Sequence, residues 1–198
     1  LALKTAALAT GRRRVVAFQG AYHGQSGAAL GVTHFPASPP LLMPPGPPRA
    51  IHIPYPDSYR CPLKRSCGGC DLACFEEGWK EVELACDGPD PPGAVIVEPI
   101  QGRAGVIVPP PEFLPRLRER ARARGMVVIY DEILTGAGRT GPFWAWRRSG
   151  DDAAAEPDLL VTGKGIGGGV AVAALLGRPK LMDIWAKHLS ASGESPYA

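Results

Sequence analysis

Long apolar runs are missing from this sequence. None approaches the roughly 18 residues that a membrane-spanning helix requires, so no helical span is expected and no membrane partner is implied. The first residues also lack the basic, apolar and small-residue order of a secretory signal, which leaves a cytoplasmic protein as the expectation. An excess of one charge is missing too: Lys and Arg exceed Asp and Glu by 22 − 19 = 3, too little and too dispersed for a nucleic-acid surface. The densest basic stretch, Arg116 to Arg124, falls on a helical pattern and reads as a solvated helix face. Paired CxxC knuckles are missing, although Cys61, Cys67, Cys70, Cys74 and Cys86 include a single Cys67-x-x-Cys70. That spacing puts two sulfurs within reach of one ion, but the other spacings are irregular, so no metal ligand is assigned and reduced thiols are expected. A dinucleotide fingerprint is missing as well, because Gly165 to Gly169 offers no GxGxxG followed by a suitably spaced acid.

What is present suits a soluble fold with a substantial core, since 45% of the 198 residues are hydrophobic and 21% charged. Residues 1–10 read as the last turns of a helix stopped by Gly11, and Arg14 to Phe18 as a buried strand. Ten prolines lie between Phe35 and Pro62, which remove backbone donors and predict little regular structure there. Residues 36–92 are therefore expected to be a Pro/Cys-rich insertion or long loop, relieved by a short amphipathic helix over Phe75 to Ala85. Beyond Pro92 a regular alternation begins. Ala94 to Val97, Met126 to Tyr130 and Leu159 to Thr162 are apolar runs of strand length, and Glu112 to Gly125 is a helix with Phe113, Leu114 and Leu117 inward. Such runs imply parallel strands covered on both faces, hence a three-layer α/β architecture (αβα, mostly parallel sheet) whose ligands gather at the strand carboxyl ends.

Polar groups follow each of these runs: Glu98 in the EPIQG segment, Asp131 and Glu132, and Lys164 between two glycines. Strand ends on one sheet edge can converge on a single pocket. A lysine in a partly desolvated pocket has its pKa lowered, because burial penalises the ammonium, and the neutral amine can condense with an aldehyde. A buried aspartate can keep a pyridine nitrogen protonated, as pyridoxal phosphate requires. Taken singly, each feature has a plainer reading. Lys164 could be a loop lysine, Asp131 and Glu132 a helix N-cap, and Tyr22 and His23 ordinary turn residues.

The segments AYHGQSGAAL (21–30), VIVEPIQGRAGVIVPPPEFL (95–114), YDEILTGAGRTG (130–141) and PDLLVTGKGIGGG (157–169) resemble, in content, order and spacing, the motifs of class-III pyridoxal-phosphate aminotransferases, the ornithine, acetylornithine and 4-aminobutyrate group. The resemblance implies the large domain of a fold-type I enzyme with pyridoxal 5'-phosphate as cofactor. It implies that Lys164 forms the Schiff base and moves the substrate proton, that Asp131 pairs with the pyridinium nitrogen, and that Tyr22 stacks on the ring with His23 beside it. Glu98 is implied as a polar support. The expected reaction passes an amino group from an amine or amino acid donor to a 2-oxo acid acceptor. Racemases, aminomutases and lyases share the scaffold. Two readings from other classes are a Cys-cluster metal-binding module and a noncatalytic homologue.

Two positions depart from the common pattern: Arg103 stands where an acid is usual, and Leu134 where a glutamine hydrogen-bonds the cofactor's phenolic oxygen. Arg103 is expected to meet a substrate carboxylate, or else solvent or a partner subunit. Leu134 is expected to alter how that phenolate titrates. Leu1 begins inside an apparent helix without a Met, so residues 1–198 are read as a partial large domain. The N-terminal phosphate-binding turn and the C-terminal small domain would lie outside it. The native enzyme is expected to be a homodimer, and the 198 residues alone inactive.

Overall fold

Short apolar runs, rich in β-branched residues at β1, β3 and β4, set the strands of this chain. A computed structural model describes residues 1–34, 50–64, 70–150 and 152–187. The strands are β1 (Arg14–Phe18), β2 (Ala50–Ile53), β3 (Pro92–Val97), β4 (Val127–Glu132), β5 (Leu159–Thr162) and β6 (Ala174–Gly177). They form one sheet in the order β2-β1-β3-β4-β5-β6, parallel throughout except for the antiparallel β6 at the edge. The helices are α1 (Ala2–Thr10), α2 (Gly27–Val32), α3 (Ala73–Cys86), α4 (Phe113–Ala123), α5 (Asp152–Ala155) and α6 (Pro179–Met182).

Strand alternation divides the core between two faces. Val16, Phe18, Val95, Val97, Val128, Tyr130 and Leu160 meet α3 and α4 through Phe75, Trp79, Val82, Phe113 and Leu117. Val15, Ala17, Ala94, Ile96, Val127, Ile129 and Leu159 meet α1 through Ala2 and Ala6. The layering is therefore αβα, as the alternation of runs predicts. Helix α1 stops where expected: Gly11 takes φ 68° and its N–H donates to Ala7 O, the left-handed cap that glycine adopts at least cost.

Two expectations are corrected here. Residues 36–92 hold more than loop and the expected helix: β2 pairs in parallel with β1, while α3 is that helix, with Phe75, Trp79 and Val82 inward as its pattern predicts. The physical reason is local: after the last proline of the dense run the alternation Ala50-Ile51-His52-Ile53 buries both isoleucines before Pro54 ends it. Residues 35–49 and 65–69, Cys67 among them, lie outside the described residues. Among those described, Cys61, Cys70, Cys74 and Cys86 are free thiols, and no group of His, Cys, Asp and Glu is arranged for a metal ion. Burial, with Cys70 and Cys61 nearby, pushes the Cys74 thiol up to about 11, which makes it a poor nucleophile near neutral pH.

The second correction concerns the basic stretch of α4, which is not simply solvated. Arg116 and Arg120 both bond the Glu76 carboxylate of α3, at 2.6 and 2.5 Å, and Arg124 pairs with Glu83 and Asp87. Positions four apart line one helix face, and α3 lies against it; Arg118, on another face, is buried. Desolvation alone would raise the Glu76 carboxyl, but the Arg116 and Arg120 bonds outweigh it and hold it below its ordinary value. A depressed carboxylate contributes stability that is complete above its unfolded pKa and is lost as pH falls through the folded one. Acid melts are thus expected to show Glu76→Gln equal to wild type at the lowest pH and less stable above about pH 4.3, by under about 1 kcal/mol because the pair is partly exposed. A gap that stays constant across pH would remove this account.

Candidate active site

Parallel strands bring their carboxyl ends to one edge, and four of them deliver the polar groups of interest there. Register sets Val97 beside Tyr130, and Asp131 beside Val161, so Glu98, Asp131 and the residues after Thr162 stand on neighbouring strand ends. Alternation separates the two acids of β4. Asp131 falls on the α1 face with Val127 and Ile129, and Glu132 on the α4 face.

Glu132 is fully buried and structural: its carboxylate accepts the Thr135 hydroxyl and the Trp146 N–H, pinning the turns that follow β4. Desolvation pushes its carboxyl up, and these donors restrain the rise. No helix begins after Asp131, so the N-cap alternative does not describe it. One oxygen of Asp131 instead accepts the Ile133 N–H at 3.1 Å, and the other lies 2.8 Å from His23 Nδ1. The His23 side chain is 1% exposed, and its Nε2 has no hydrogen-bond partner among the described residues. A buried N–H left unpaired costs more than a buried lone pair, so the arrangement favours the tautomer whose Nδ1–H donates to Asp131.

His23 reaches Asp131 because the turn after β1 is tightly held. Gly20 takes φ +80°, and a β-carbon there would lie 2.9 Å from Ala104 Cβ. The His23 N–H donates to Thr33 Oγ1, and the Tyr22 N–H donates to Glu98 Oε1 at 2.9 Å. The second oxygen of Glu98 accepts the Gly102 N–H at 3.0 Å, so this carboxylate ties the β1 turn to the β3 turn. Desolvation pushes the Glu98 carboxyl up, while the two N–H donors restrain the rise. Arg103 lays its guanidinium 4.5 Å from the centroid of the Tyr22 ring, and Leu134 lies against Gly102. The two departures thus put an arginine on an aromatic ring and an aliphatic side chain against the Glu98 turn.

Lys164 opens a 3₁₀ turn, Lys164–Gly167, just beyond β5. Its flanking glycines rest on the segment after Asp131, since β-carbons would meet Ile133 at Gly163 and Ala137 at Gly165. The lysine therefore shares the Asp131 edge. It does not occupy the partly desolvated pocket the sequence suggested: Lys164 is exposed, because residues 164–172 extend beyond the sheet with little packed over them. A cleft of about 260 Å³ lies along this edge and is lined by His23, Asp131, Ile133, Val161 and Ala174. A larger groove along α4, about 620 Å³, gathers none of these groups.

Sequence reading passed over three residues that hold this frame. Thr33 receives His23, Gln101 Nε2 donates to Gln19 O at 3.0 Å, and Tyr55 donates to the Glu98 and Pro99 carbonyls. Nothing in the local pattern marks them, because each partner is distant in sequence.

The fold is thus a mostly parallel αβα sheet that carries a histidine-held carboxylate and a glycine-flanked lysine on one strand-end edge. The chain belongs to the aminotransferase class-III family, whose model matches residues 1–193. It is 40% identical over 93% of its length to a diaminobutyrate--2-oxoglutarate aminotransferase of Rhizobium meliloti, covering 38% of that protein. It is also 34% identical over 92% of its length to a leucine/methionine racemase of Thermococcus litoralis, covering 40% of it. Among solved structures, an amine transaminase from an uncultivated Pseudomonas species in the PLP-bound form matches with a TM-score of 0.77 and 30% identity, over 93% of this chain and 42% of that one. The chain thus spans about two fifths of the length of these relatives. The cofactor of the family is pyridoxal phosphate, and the residues present fit it. Asp131 lines the cleft with a lone pair left on each oxygen, which suits a protonated ring nitrogen.

Proposed function

We propose that the protein to which this chain belongs is a pyridoxal-phosphate-dependent transaminase that moves an amino group from an amine or amino acid to a 2-oxo acid. The observation that carries the reading is the arrival of Asp131, oriented by His23, and Lys164 at one edge of adjacent parallel strands. Bound there, pyridoxal phosphate supplies an electron sink for the bond broken at the substrate carbon. Asp131 keeps the proton on the ring nitrogen by opposing its charge. His23 donates to that carboxylate and fixes its direction. Tyr22 stacks against the ring, and Glu98 holds the Tyr22 backbone in place. Lys164, as the free amine, takes and returns the proton at the substrate's α carbon.

In this reading residues 1–198 form part of the large domain, residues 36–92 include a Pro/Cys-rich excursion from it, and the full protein is a cytoplasmic homodimer. The 198-residue chain alone then binds cofactor weakly and does not turn over. The test is covalent. Borohydride reduction of the full-length protein loaded with pyridoxal phosphate, followed by peptide mapping, is expected to leave the reduced cofactor on Lys164. A label on another lysine, or none, would sink the assignment. Racemisation is the second reading, favoured by the similarity to the Thermococcus litoralis racemase. It separates from transamination by loss of donor chirality without a 2-oxo acid product.

Arg103 is proposed to recognise a substrate carboxylate, because its guanidinium lies on the ring of Tyr22, the residue proposed to stack on the cofactor, and a guanidinium matches a carboxylate in fork geometry. Arg103→Glu in the full-length enzyme is expected to raise KM for carboxylate-bearing donors by roughly 10- to 100-fold, at an unchanged KM for a neutral arylalkyl amine. Steady-state kinetics on both donors check this, and equal changes would remove Arg103 from recognition.

A further inference from the structure

We propose that Tyr55, from the proline-flanked segment after β2, is a positioning residue for the cofactor site, its hydroxyl holding the turn that carries Glu98, Gln101 and Arg103. The inference rests on the reading that this edge holds pyridoxal phosphate. Tyr55 is 4% exposed, and its ring stands edge-on to Phe18 and Phe113, with centroids 5.6 and 5.2 Å away. Those contacts fix the ring, so the hydroxyl has one place to go. It lies 3.0 Å from Glu98 O and 3.2 Å from Pro99 O, donating to the start of the turn. Burial, followed by the nearby Glu98 charge, drives the phenol's ionisation far above its ordinary value, so the group remains a donor.

The turn it holds does not act alone. The Glu98 carboxylate accepts the N–H groups of Tyr22 and Gly102, Gln101 Nε2 reaches back to Gln19 O, and Arg103 lies on the Tyr22 ring. Tyr22 is followed by His23, which meets Asp131. A shift of the Glu98 and Pro99 carbonyls therefore moves both Tyr22 and the group that orients Asp131. Tyr55 touches none of the reacting groups; it acts through Glu98. It also gives the Pro/Cys-rich stretch a role in the site.

Tyr55→Phe in the full-length protein removes the hydroxyl and keeps the ring. It is expected to raise the Kd for pyridoxal phosphate about tenfold, the scale of one buried hydrogen bond, while lowering Tm by no more than the control below does. In the cofactor-free protein, amide exchange at Tyr22 and Gly102 is expected to quicken several-fold while β4 amides stay protected. Val82→Ala is the control, because it opens the same core from α3 without removing either ring that fixes Tyr55. It should lower Tm and leave the Kd within twofold. The proposal is overturned if Tyr55→Phe leaves Kd and exchange unchanged, or if both variants lose affinity in step with Tm. Should wild type show no Lys164-dependent absorbance with pyridoxal phosphate, the cofactor reading itself fails, and the amide exchange still decides whether Tyr55 holds the turn.

Discussion

Replacing Lys164 with alanine in the full-length enzyme is expected to lower turnover by about 10⁴-fold or more, since in the proposed reaction one group serves both as the cofactor's attachment and as the proton carrier. Stability of the cofactor-free variant is expected to hold within about 0.5 kcal/mol, because residue 164 is exposed. Lys164 also takes φ 34°, in the left-handed region where an L residue sits under strain. The lysine is thus retained at a position whose backbone would accept glycine more easily. Lys164→Ala should lose the visible absorbance of lysine-bound cofactor, and a small primary amine in the buffer should restore part of the turnover. Stopped-flow absorbance with and without added methylamine checks this. Full activity in the variant would exclude Lys164 from the chemistry, whereas an unfolded variant would contradict the exposure argument.

The second large effect belongs to Asp131. Asp131→Asn is nearly isosteric but removes the charge proposed to hold a proton on the ring nitrogen, and is expected to lower kcat by roughly 10³-fold. Asp131→Ala should do the same and also cost about 1–3 kcal/mol of stability, because it leaves the His23 Nδ1–H buried without an acceptor. A double-mutant cycle with His23→Phe identifies the source. If the stability loss comes from the orphaned imidazole, it shrinks once His23 is gone; if the two losses simply add, the pair is not coupled. Glu132→Gln provides the contrast. Its partners are Thr135 and Trp146 on the opposite face, so its substitution should act on stability before cofactor affinity.

The contrast between Asp131 and Glu132 shows where sequence reading stops. Adjacent residues in a strand point to opposite faces, so alternation already divides the two. What alternation does not say is which face carries the cleft, since that depends on where α1 and the β1 turn pack. The Asp131–His23 bond spans 108 positions, and no local pattern encodes it. Tyr55 was hidden for a related reason. Prolines on both sides of it argue against regular structure, which is correct for its backbone and silent about where a buried side chain reaches. The arginines of α4 likewise read as solvated until α3 lies beside them, because a helix face looks the same in sequence whether water or another helix covers it.

By itself the sequence determined the elements and the chemistry available to them. The runs at β3, β4 and β5, the glycine stop of α1 and the polar residues at the strand ends follow from short-range sterics and burial, which neighbouring residues decide among themselves. Tertiary structure alone decided that β2 pairs with β1, that His23 orients Asp131, that Tyr55 bonds the Glu98 turn, and that Lys164 stands exposed. Each of these depends on surfaces brought together from distant parts of the chain, and the free energy of such contacts is absent from any local window of residues.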